Sequence, residues 1–565
     1  MPERAASAAV VSLLVTALAA QESRPGLASW RVEQRDLAIE MRDGKSLAAD
    51  LFLPGKRGRY PAVLIQTPYN KKHLGAPISL GRSRRVGEIG RGAVSDTLGL
   101  LDRAHYAYLV VDWRGFYASK KAMRGVQRWS WRRGQDGHDL VEWIAKQPWS
   151  DGKVGTWGGS ALGKQQFSTA LEHPPHLVCC VPLIAAMGIG YEQYFENGVP
   201  LDAHLRILDL LGYDVRERVR KNPLPGTLLW RLAARRTYRP QEIEVPCLLI
   251  SGWWDHYPDL VIRTFEDIVA RGGDAARAHS KLLIGPWDHV GVGLRKQGDL
   301  EFPKAELASA EAAKAFLDYH LRGVRNGWEK TPRIRYFDSG SREWRAAERW
   351  TGAKRPTRRL FLHAGGSIDA SPPGEAPEGR PGERSYRYDP RKPPRTLGGA
   401  NLPPLPHGPR IQNELLARKD LLVYRTGPLA EALPLEGRLS LTFSFRADRA
   451  DCDFCVWLCD VDPKGRAFLL CDSALRAKLR NGKVEPLEPG TAYRVTLSLP
   501  DHCHTFEKDH ELLLVLASGN SPRYERNPHT GQDLWDPKTA LDLAVTILHR
   551  KDAPAVLEIP LRRGR

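Results

Sequence analysis

The most informative stretch of the chain is Lys153-Val154-Gly155-Thr156-Trp157-Gly158-Gly159-Ser160-Ala161-Leu162-Gly163, where a glycine-bracketed serine follows a strand-like run. A serine on a sharp strand-to-helix turn has its hydroxyl pushed out of the backbone and into a cleft. The small residues around it let the turn close without side-chain clash. The pattern predicts that Ser160 is a nucleophile. Read alone, the stretch also fits a glycine-rich turn that happens to contain a serine.

Two later segments supply an acid and a base for such a nucleophile. Cys247 to Ser251 is a predicted strand, and the turn after it carries Asp255. Lys281 to Ile284 is another, and the turn after it carries His289. The order serine, acid, histidine is that of α/β-hydrolases, whose sites form at the carboxyl ends of strands. We predict that His289 takes the serine proton and delivers it to the leaving group, while Asp255 orients the imidazole.

Other residues in the sequence compete for these roles. Asp259 and Asp288 are alternative acids, and His256 and His73 are alternative bases. Taken singly, the predicted acid is an ordinary turn carboxylate and the predicted base an ordinary loop histidine. The three roles at three strand ends, in the right order, favour the predicted triad.

The pattern of predicted strands and helices changes along the chain, which predicts an α/β core followed by an all-β region. Up to about Gly323, short apolar strands such as Pro61 to Gln66 alternate with helical stretches such as His138 to Lys146. This alternation predicts a mostly parallel sheet with helices on both faces. After about Pro332, short strands such as Leu439 to Phe445 lie between turn signals, which predicts a β-sandwich.

A helical segment interrupts the core. Between about Met187 and Arg239 no strand pattern occurs, and Leu201 to Arg220 and Leu228 to Arg236 are predicted helices. We predict a cap over the sheet, since these helices are too many for one ordinary crossover. The predicted divisions are a signal peptide, the first part of the core, the cap, the second part of the core and the β-sandwich, at residues 1–20, 30–186, 187–240, 241–335 and 350–565.

The N-terminus has the pattern of an export signal. Arg4 supplies a positive start, Ala5 to Ala20 carry no charge, and Ala17-Leu18-Ala19 offers small residues at a cleavage site. An uncleaved membrane anchor is the alternative, but the apolar run is short and weakly apolar for a full span. No later stretch is apolar enough to be a second membrane segment. We therefore expect an exported protein without stable membrane insertion after signal cleavage.

The net charge of +18 raises the question of a nucleic-acid partner. The basic residues are spread over the whole chain, and no recognised nucleic-acid module is present. We expect non-specific contact with anionic surfaces instead, and no nucleic-acid partner.

The eight cysteines raise two questions, disulfide formation and metal binding. Export would permit disulfides, but the sequence cannot pair the cysteines. Cys452, Cys455 and Cys459 have a spacing that superficially suggests a metal cluster. On the strand predicted here, Cys455 and Cys459 share one face and Cys452 points the other way. That geometry suits buried apolar side chains better than tetrahedral zinc, so no metal is expected.

Five motifs together carry a resemblance to a known family. They are Thr67-Pro68-Tyr69-Asn70-Lys71, Asp112-Trp113-Arg114-Gly115 with Ser119, the Ser160 turn, Gly252-Trp253-Trp254-Asp255 and Gly285-Pro286-Trp287-Asp288-His289. In this order they resemble the cocaine-esterase / Xaa-Pro dipeptidyl-peptidase family of serine hydrolases. Asp460 to Ala467 and Ser521 to Pro528 are similar to the jelly-roll motifs of that family. The resemblance spans roughly residue 35 to the end, and it implies an α/β-hydrolase core with a helical cap insertion, followed by an all-β jelly-roll sandwich.

The resemblance also implies an oxyanion hole. The Tyr69 hydroxyl and the backbone N–H of Ala161 would be its two donors, each mattering by about 3 kcal/mol of barrier. Tyr69 follows the predicted strand Pro61 to Gln66, on the same rim as the triad; a packing aromatic is the alternative. The residue after the serine is usually a bulky aromatic in the family, so Ala161 removes a pocket wall and weakens inference about substrate. Arg114 and Ser119 are expected to order loops beside the site.

Ester hydrolysis and dipeptide release use the same triad, so only the residues of the substrate pocket can distinguish the two activities. A dipeptide-releasing enzyme must hold a substrate ammonium, for which Glu192, Glu196 and Asp202 are candidates, although we favour a solvated helix face as their explanation. Family members that act on α-amino-acid esters carry further carboxylates after the catalytic acid, and His256-Tyr257-Pro258 counts against that branch. Candidates for an apolar acyl pocket, or for packing at the sheet rim, are Trp253, Trp254 and Trp287.

These features predict an exported serine hydrolase that cleaves an ester or amide bond of a small molecule or short peptide through an acyl-enzyme. One alternative is an Xaa-Pro dipeptidyl-peptidase. Another is a non-catalytic protein that binds carbohydrate or another surface and has a degenerate hydrolase core. No metal or organic cofactor is required, since side chains and backbone supply proton transfer and oxyanion binding. The sequence leaves the oligomeric state open.

Overall fold

The computed structural model describes residues 32–55, 57–74, 102, 104–126, 133–350, 355–374, 382–532 and 536–562. The predicted signal peptide, residues 1–20, lies outside these ranges. Among the described residues, no helix combines the length and apolarity needed to cross a membrane.

A ten-stranded mixed sheet forms the core of the described residues. Its middle strands pair in parallel, and antiparallel pairs close both edges. The central strands are continuous buried runs, as a sheet covered on both faces requires. The strands, in spatial order, are Val32–Glu40, Ser46–Leu53, Ala107–Asp112, Tyr60–Thr67, Ser150–Gly159, Leu177–Leu183, Leu248–Trp254, Lys281–Asp288, Ile334–Asp338 and Glu343–Ala347. The core sheet therefore continues to Ala347, past the predicted boundary at residue 335.

Helices cover both faces of this sheet. Successive strand residues point to opposite faces. The face of Gly155 lies against Leu317 and Leu321, whereas the next residue, Thr156, donates a hydrogen bond to Gln166 at 3.0 Å. The helices beside the sheet are Lys71–Leu74, Arg133–Ala145, Ala161–Ala170, Pro258–Arg271, Asp274–His279 and Ala308–Arg322. Short 3-10 turns are Tyr117–Met123, Tyr191–Gln193, Pro240–Glu242, Pro303–Ala305, Trp328–Lys330 and Ala477–Leu479.

A helical insertion lies between the strands Leu177–Leu183 and Leu248–Trp254. Its helices are Asp202–Leu210, Arg216–Arg220 and Leu228–Thr237. They are preceded by a short hairpin of two strands of two residues each, Phe195–Glu196 and Val199–Pro200. The insertion has a small aromatic core of its own: the rings of Tyr191 and Phe195 stack at 4.4 Å, and Trp230 meets Tyr191 edge-on. Aromatic pairs of this kind bury a large area for few residues.

The stretch predicted as one helix from Leu201 to Arg220 is two helices in the structure. Gly212 has φ +86° and Asp214 has φ +53°, which break the helical backbone. The carboxylate of Asp209 accepts hydrogen bonds from the backbone N–H groups of Val215 and Arg216 at 2.7 and 3.1 Å. A nearby side chain thus provides acceptors for the N–H groups that follow the break.

The all-β region is a two-sheet sandwich. Leu441 and Phe443 of the larger sheet share one apolar core with Phe454 and Leu512 of the smaller sheet. The larger sheet contains Ile368–Asp369, Thr357–Leu362, Ala555–Pro560, Leu433–Ala447, Leu543–Leu548, Glu383–Tyr388 and Tyr493–Phe506. The smaller sheet contains Leu422–Arg425, Glu511–Ala517, Asp453–Val461 and Ala467–Arg476, and a short helix, Asn413–Leu416, lies nearby in sequence.

The cysteines of the sandwich have packing roles. Cys452 lies in the core between the two sheets, and Cys455 and Cys459 lie on the other face of the same strand, in a second apolar cluster. All eight cysteines of the chain are buried and free. The face assignment made from the period of the strand therefore agrees with the structure.

The sandwich packs on the core through buried polar contacts. Asp338, at the end of a core strand, accepts the backbone N–H and the hydroxyl of Thr505 at 2.9 and 2.7 Å. The indole N–H of Trp350 donates to Asp501 at 2.9 Å, and that of Trp254 donates to the carbonyl of Leu469 at 3.2 Å. Because a buried polar group that loses its partner costs about 1–3 kcal/mol, these contacts fix how the sandwich sits on the core.

Candidate active site

Ser160 occupies the junction between the strand Ser150–Gly159 and the helix Ala161–Ala170. Its backbone angles are φ 56° and ψ −119°, a conformation that non-glycine residues rarely adopt. The Ser160 N–H donates to the carbonyl of Leu183 at 2.9 Å on the neighbouring strand. Gly158, two residues earlier, has φ +138°, and a Cβ there would meet Leu162 at 2.6 Å. The turn therefore requires glycine at 158 and presents the serine hydroxyl outward.

The structure brings the three predicted triad residues together. The Ser160 Oγ lies 3.0 Å from the Nε2 of His289, and the Nδ1 of His289 lies 2.6 Å from the Oδ1 of Asp255. His289 is 4% exposed and Asp255 is 2% exposed, so water does not compete for the histidine–carboxylate contact. The geometry suits a base that accepts a serine proton while its other nitrogen is held by a carboxylate.

Asp255 is placed by the end of its own strand. Its backbone N–H donates to the carbonyl of Gly252 at 3.0 Å, and its second carboxylate oxygen accepts the hydroxyl of Ser251 at 3.3 Å. Ser251 lies four residues before the acid on the same predicted strand. Sequence reasoning missed it, because nothing in the strand pattern distinguishes a polar partner from a buried small residue.

Asp288 orders the loop that carries His289. One oxygen of its carboxylate accepts the backbone N–H groups of Val290 and Gly291 at 3.1 and 2.7 Å. The other lies 2.7 Å from the Nδ1 of His407, which belongs to the sandwich region. Burial opposes ionisation of Asp288, but the His407 contact and the backbone donors lower its pKa overall. Asp288 therefore orders the loop. The acid partner of His289 is Asp255 and not the alternative, Asp288.

Tyr69 lies next to Ser160. Its backbone N–H donates to the hydroxyl of Thr67 at 2.9 Å, at the end of the strand Tyr60–Thr67. Its phenol group lies beside the Ser160 hydroxyl and the backbone N–H of Ala161. Burial raises the pKa of Tyr69 and outweighs these contacts, which favour the phenolate. The phenol therefore stays protonated at neutral pH and can donate a hydrogen bond.

The turn that carries Tyr69 is anchored by a buried lysine. The backbone N–H of Lys71 donates to Asp112 at 2.7 Å, and its ammonium pairs with Asp50 and, at 2.6 Å, with Asp36. The side chains of Lys71 and Asp50 have no exposed surface. A buried ion pair loses several kcal/mol when one partner is removed, so the turn has little freedom to shift.

Comparison with known proteins agrees with this geometry. The model of the X-Pro dipeptidyl-peptidase (S15 family) matches residues 43–231 and 228–291, and that of the X-Pro dipeptidyl-peptidase C-terminal non-catalytic domain matches residues 326–557. The cocaine esterase of Rhodococcus sp. (strain MB1 Bresler) is 27% identical over 555 residues, covering 88% of this chain and 92% of that protein. The chain belongs to the cocaine-esterase / X-Pro dipeptidyl-peptidase family. It is therefore a serine hydrolase, of the esterase or peptidase type.

Solved structures show the same fold. An aminopeptidase from a marine sediment archaeon of the Thaumarchaeota superposes with a TM-score of 0.79 at 20% identity, covering 96% of this chain and 98% of that one. An α-amino-acid ester hydrolase superposes with a TM-score of 0.77 at 21% identity, covering 95% and 98%. At these identities the likeness concerns the fold, an α/β core with a later all-β region.

The rival residues have other environments in this family member. Asp259 pairs with Arg438 of the sandwich and accepts the backbone N–H of Asp501 at 2.9 Å. The His256 ring lies 5.0 Å from that of His289, centre to centre, without taking its place beside Ser160. The side chain of His73 lies outside the described residues.

The three tryptophans named as pocket candidates are buried in packing. Trp253, Trp254 and Trp287 are 3%, 1% and 0% exposed. The indole N–H of Trp253 donates to the carbonyl of Phe337 at 2.6 Å. Trp253 and Trp254 border a groove of about 960 Å³ beside the sandwich, whose lining includes Asp255 but neither Ser160 nor His289. Their burial supports the packing interpretation over the prediction of an acyl pocket.

The three carboxylates considered for an ammonium group are engaged elsewhere. Glu192 is exposed and lies 3.9 Å from Arg263. Glu196 accepts the hydroxyl of Ser473 at 2.9 Å. The remaining candidate, Asp202, pairs with two arginines, Arg206 and Arg216, at 2.8 and 3.0 Å.

Arg114 and Ser119 order the loops beside the site. The guanidinium of Arg114 reaches Asp136 at 2.6 Å and Asp43 at 2.7 Å. The Ser119 hydroxyl donates to the carbonyl of Asp112 at 2.8 Å and accepts the backbone N–H of Ala48 at 2.9 Å. Neither side chain contacts Ser160.

The contact between His407 and Asp288 generates a prediction. We expect His407→Ala to lower kcat about tenfold with a smaller effect on KM, because a loosened loop displaces the base from the serine, and small displacements of catalytic groups are costly. The measurement is steady-state kinetics with an activated ester, together with the rate of labelling by a fluorophosphonate.

The matched control for this prediction is His363→Ala. His363 makes a similar contact with Asp369, at 3.1 Å, far along the sandwich. It should leave both rates unchanged. Equal kinetics for the two variants, at equal thermal stability, would show that the sandwich does not position the base.

Proposed function

We propose that the protein hydrolyses an ester or amide bond through an acyl-enzyme on Ser160, with His289 as general base and acid and Asp255 as its orienting partner. The observation that carries this proposal is the continuous hydrogen-bonded series from serine to histidine to carboxylate, at 3.0 and 2.6 Å. Attack by the serine oxygen on the carbonyl carbon transfers the serine proton to the Nε2 of His289.

The second half of the cycle uses the same groups. The imidazolium gives its proton to the leaving alcohol or amine, and the acyl group remains on the serine oxygen. A water molecule then attacks the acyl carbon, with His289 again taking a proton, and the carboxylic acid leaves. Two further histidines, His204 and His256, lie near His289. Burial lowers the pKa of His204 to about 3 and that of His256 well below its ordinary value, so both stay neutral and do not repel the His289 imidazolium.

The tetrahedral intermediate needs donors for its oxyanion. We propose the Tyr69 hydroxyl and the Ala161 N–H, which lie together beside the Ser160 hydroxyl. Ala161 begins the helix Ala161–Ala170, so its N–H has no partner within the helix and lies at the positive end of the helix dipole. Donors held in place before the reaction stabilise developing charge without reorganisation.

The esterase or amidase interpretation is favoured over release of dipeptides. An N-terminal ammonium needs a carboxylate close to the nucleophile. Glu192, Glu196 and Asp202 face other partners, as described above. The interpretation as a binding protein with a degenerate core is disfavoured by the intact geometry of the three residues around Ser160.

Replacement of the nucleophile tests the central proposal. We expect Ser160→Ala to lower the rate with p-nitrophenyl butyrate by at least about 10⁴-fold, because no other group can form the acyl-enzyme. Wild-type enzyme should show a burst of p-nitrophenol. Ser168→Ala, on the same helix, is the matched control and should retain the burst. A Ser160→Ala rate close to wild type would exclude the acyl-enzyme at this residue.

Removal of one hydroxyl tests the oxyanion hole. We expect Tyr69→Phe to lower kcat by about 10²-fold with little change in KM, since the lost donor acts on charge that develops only in the transition state. Tyr60→Phe is the control, because its hydroxyl bonds the carbonyl of Arg57 at 2.6 Å at the far end of the same strand. Unchanged kcat in Tyr69→Phe would assign this ring a packing role.

We further propose that the protein is exported, on the strength of the charged start and uncharged run of residues 1–20. The full chain should reach the periplasm or medium of a Gram-negative host and lack about the first twenty residues by mass spectrometry. A chain that begins at Gln21 should stay in the cytoplasm. Recovery of the full chain with Met1 intact in the cytoplasmic fraction would contradict export.

A further inference from the structure

The side of the cleft beneath the helical insertion is cationic. Lys164 lies one helical turn after Ser160, on the same face of the helix that begins at the nucleophile. Its ammonium lies 5.3 Å from the centre of the Tyr257 ring, and the same ring lies 6.4 Å from that of His289. Lys164 thus stands beside the reacting groups and not on the outer surface.

The Lys164 ammonium has unused capacity to donate. It gives hydrogen bonds to the carbonyl of Gly188 at 3.2 Å and to the side-chain oxygen of Gln193 at 2.9 Å. Both acceptors are neutral, and an ammonium has three donors. In the described part of the chain no carboxylate lies within ion-pair distance of it. Burial, then the charge of Arg133, lowers the pKa of Lys164 to about 7, although Asp255 opposes this. A half-buried cation without an ion-pair partner favours an anionic ligand.

Arg133 is the second cation of this cleft. It begins the helix Arg133–Ala145, and its guanidinium stacks 4.3 Å from the centre of the Trp113 ring. Burial lowers its pKa as well, and Tyr213 and Tyr194 are among the groups nearest to its charge.

Tyr213 connects this cation to the oxyanion site. The Tyr213 phenol interacts electrostatically with both Tyr69 and Arg133. Its hydroxyl is buried and lies beside the hydroxyl of Tyr69. Tyr213 therefore links the proposed oxyanion donor to the side of the cleft that carries Arg133.

We propose that the Ser160 cleft is specific for esters or amides that carry a carboxylate, which Lys164 and Arg133 bind. This inference rests on the proposed hydrolase function and names its substrate class. The same two cations disfavour a substrate with a free ammonium, because like charges would meet in a poorly hydrated cleft.

Matched substrate pairs test the proposal. Mono-(4-nitrophenyl) glutarate and 4-nitrophenyl pentanoate have acyl chains of equal length and differ in the terminal carboxylate. The pair 3-acetoxybenzoate and 3-acetoxybenzamide places the same difference on the leaving group. Rates are corrected with the Ser160→Ala enzyme, because the glutarate monoester also breaks down by itself. In at least one pair we expect kcat/KM to be about tenfold or more higher for the carboxylate.

Charge-removing variants locate the source of the preference. Lys164→Gln and Arg133→Gln should each lower the ratio of kcat/KM between carboxylate and neutral substrate by about tenfold. Lys153→Gln, at the exposed far end of the strand that leads to Ser160, should keep the wild-type ratio. A ratio near one for both pairs, or a preference that survives both charge-removing variants, would overturn the proposal.

One measurement needs no variant. Glutarate should inhibit hydrolysis of 4-nitrophenyl pentanoate competitively, at least about tenfold more strongly than glutaramide. Equal inhibition would count against the cationic site. If neutral esters are hydrolysed in a Ser160-dependent manner without carboxylate preference, only this inference fails. If neither class of ester is hydrolysed in that manner, the proposed function fails, and this inference fails with it.

Discussion

The hydrogen bond from the Ser160 N–H to the Leu183 carbonyl is the constraint on which the site depends. It holds the serine at φ 56°, a conformation that costs ~1–3 kcal/mol for a residue with a side chain. The neighbouring strand thereby fixes the direction of the serine hydroxyl. The same turn starts the next helix, so it also sets the position of the Ala161 N–H and, one turn later, of Lys164. Nucleophile, oxyanion donor and cleft cation share one rigid element.

Two regions distant in sequence complete the arrangement from either side. The buried Lys71 with its carboxylates fixes the turn that carries Tyr69. On the other side, the sandwich reaches Asp288 through His407 and so restrains the loop of the base. The sandwich accordingly does more than cover an apolar face of the core. It contributes to the precision with which His289 meets Ser160, and that precision is what acyl transfer requires.

The sequence predicted the parts of the fold that local pattern controls. Buried strands such as Tyr60–Thr67 and the strand that ends at Gly159 follow from apolar runs and the glycine-bracketed serine, and the roles of Asp255 and His289 follow from order along the chain. The split of the segment Leu201 to Arg220 was missed, because positive φ at Asp214 is not encoded in apolar period. Tyr213, also in the insertion, was missed because tertiary packing alone brings it near Tyr69. The position of Lys164 could have been predicted, since it is four residues after the serine on a predicted helix.

The bond between His407 and Asp288 joins residues that are far apart along the chain, and this affects when the enzyme becomes competent. The core sheet and the serine turn can form before the segment that contains His407 docks on them. Until the sandwich docks, the loop of the base lacks one of its restraints. Full activity therefore requires the docked sandwich, so the rate of turnover reports on assembly of the whole molecule.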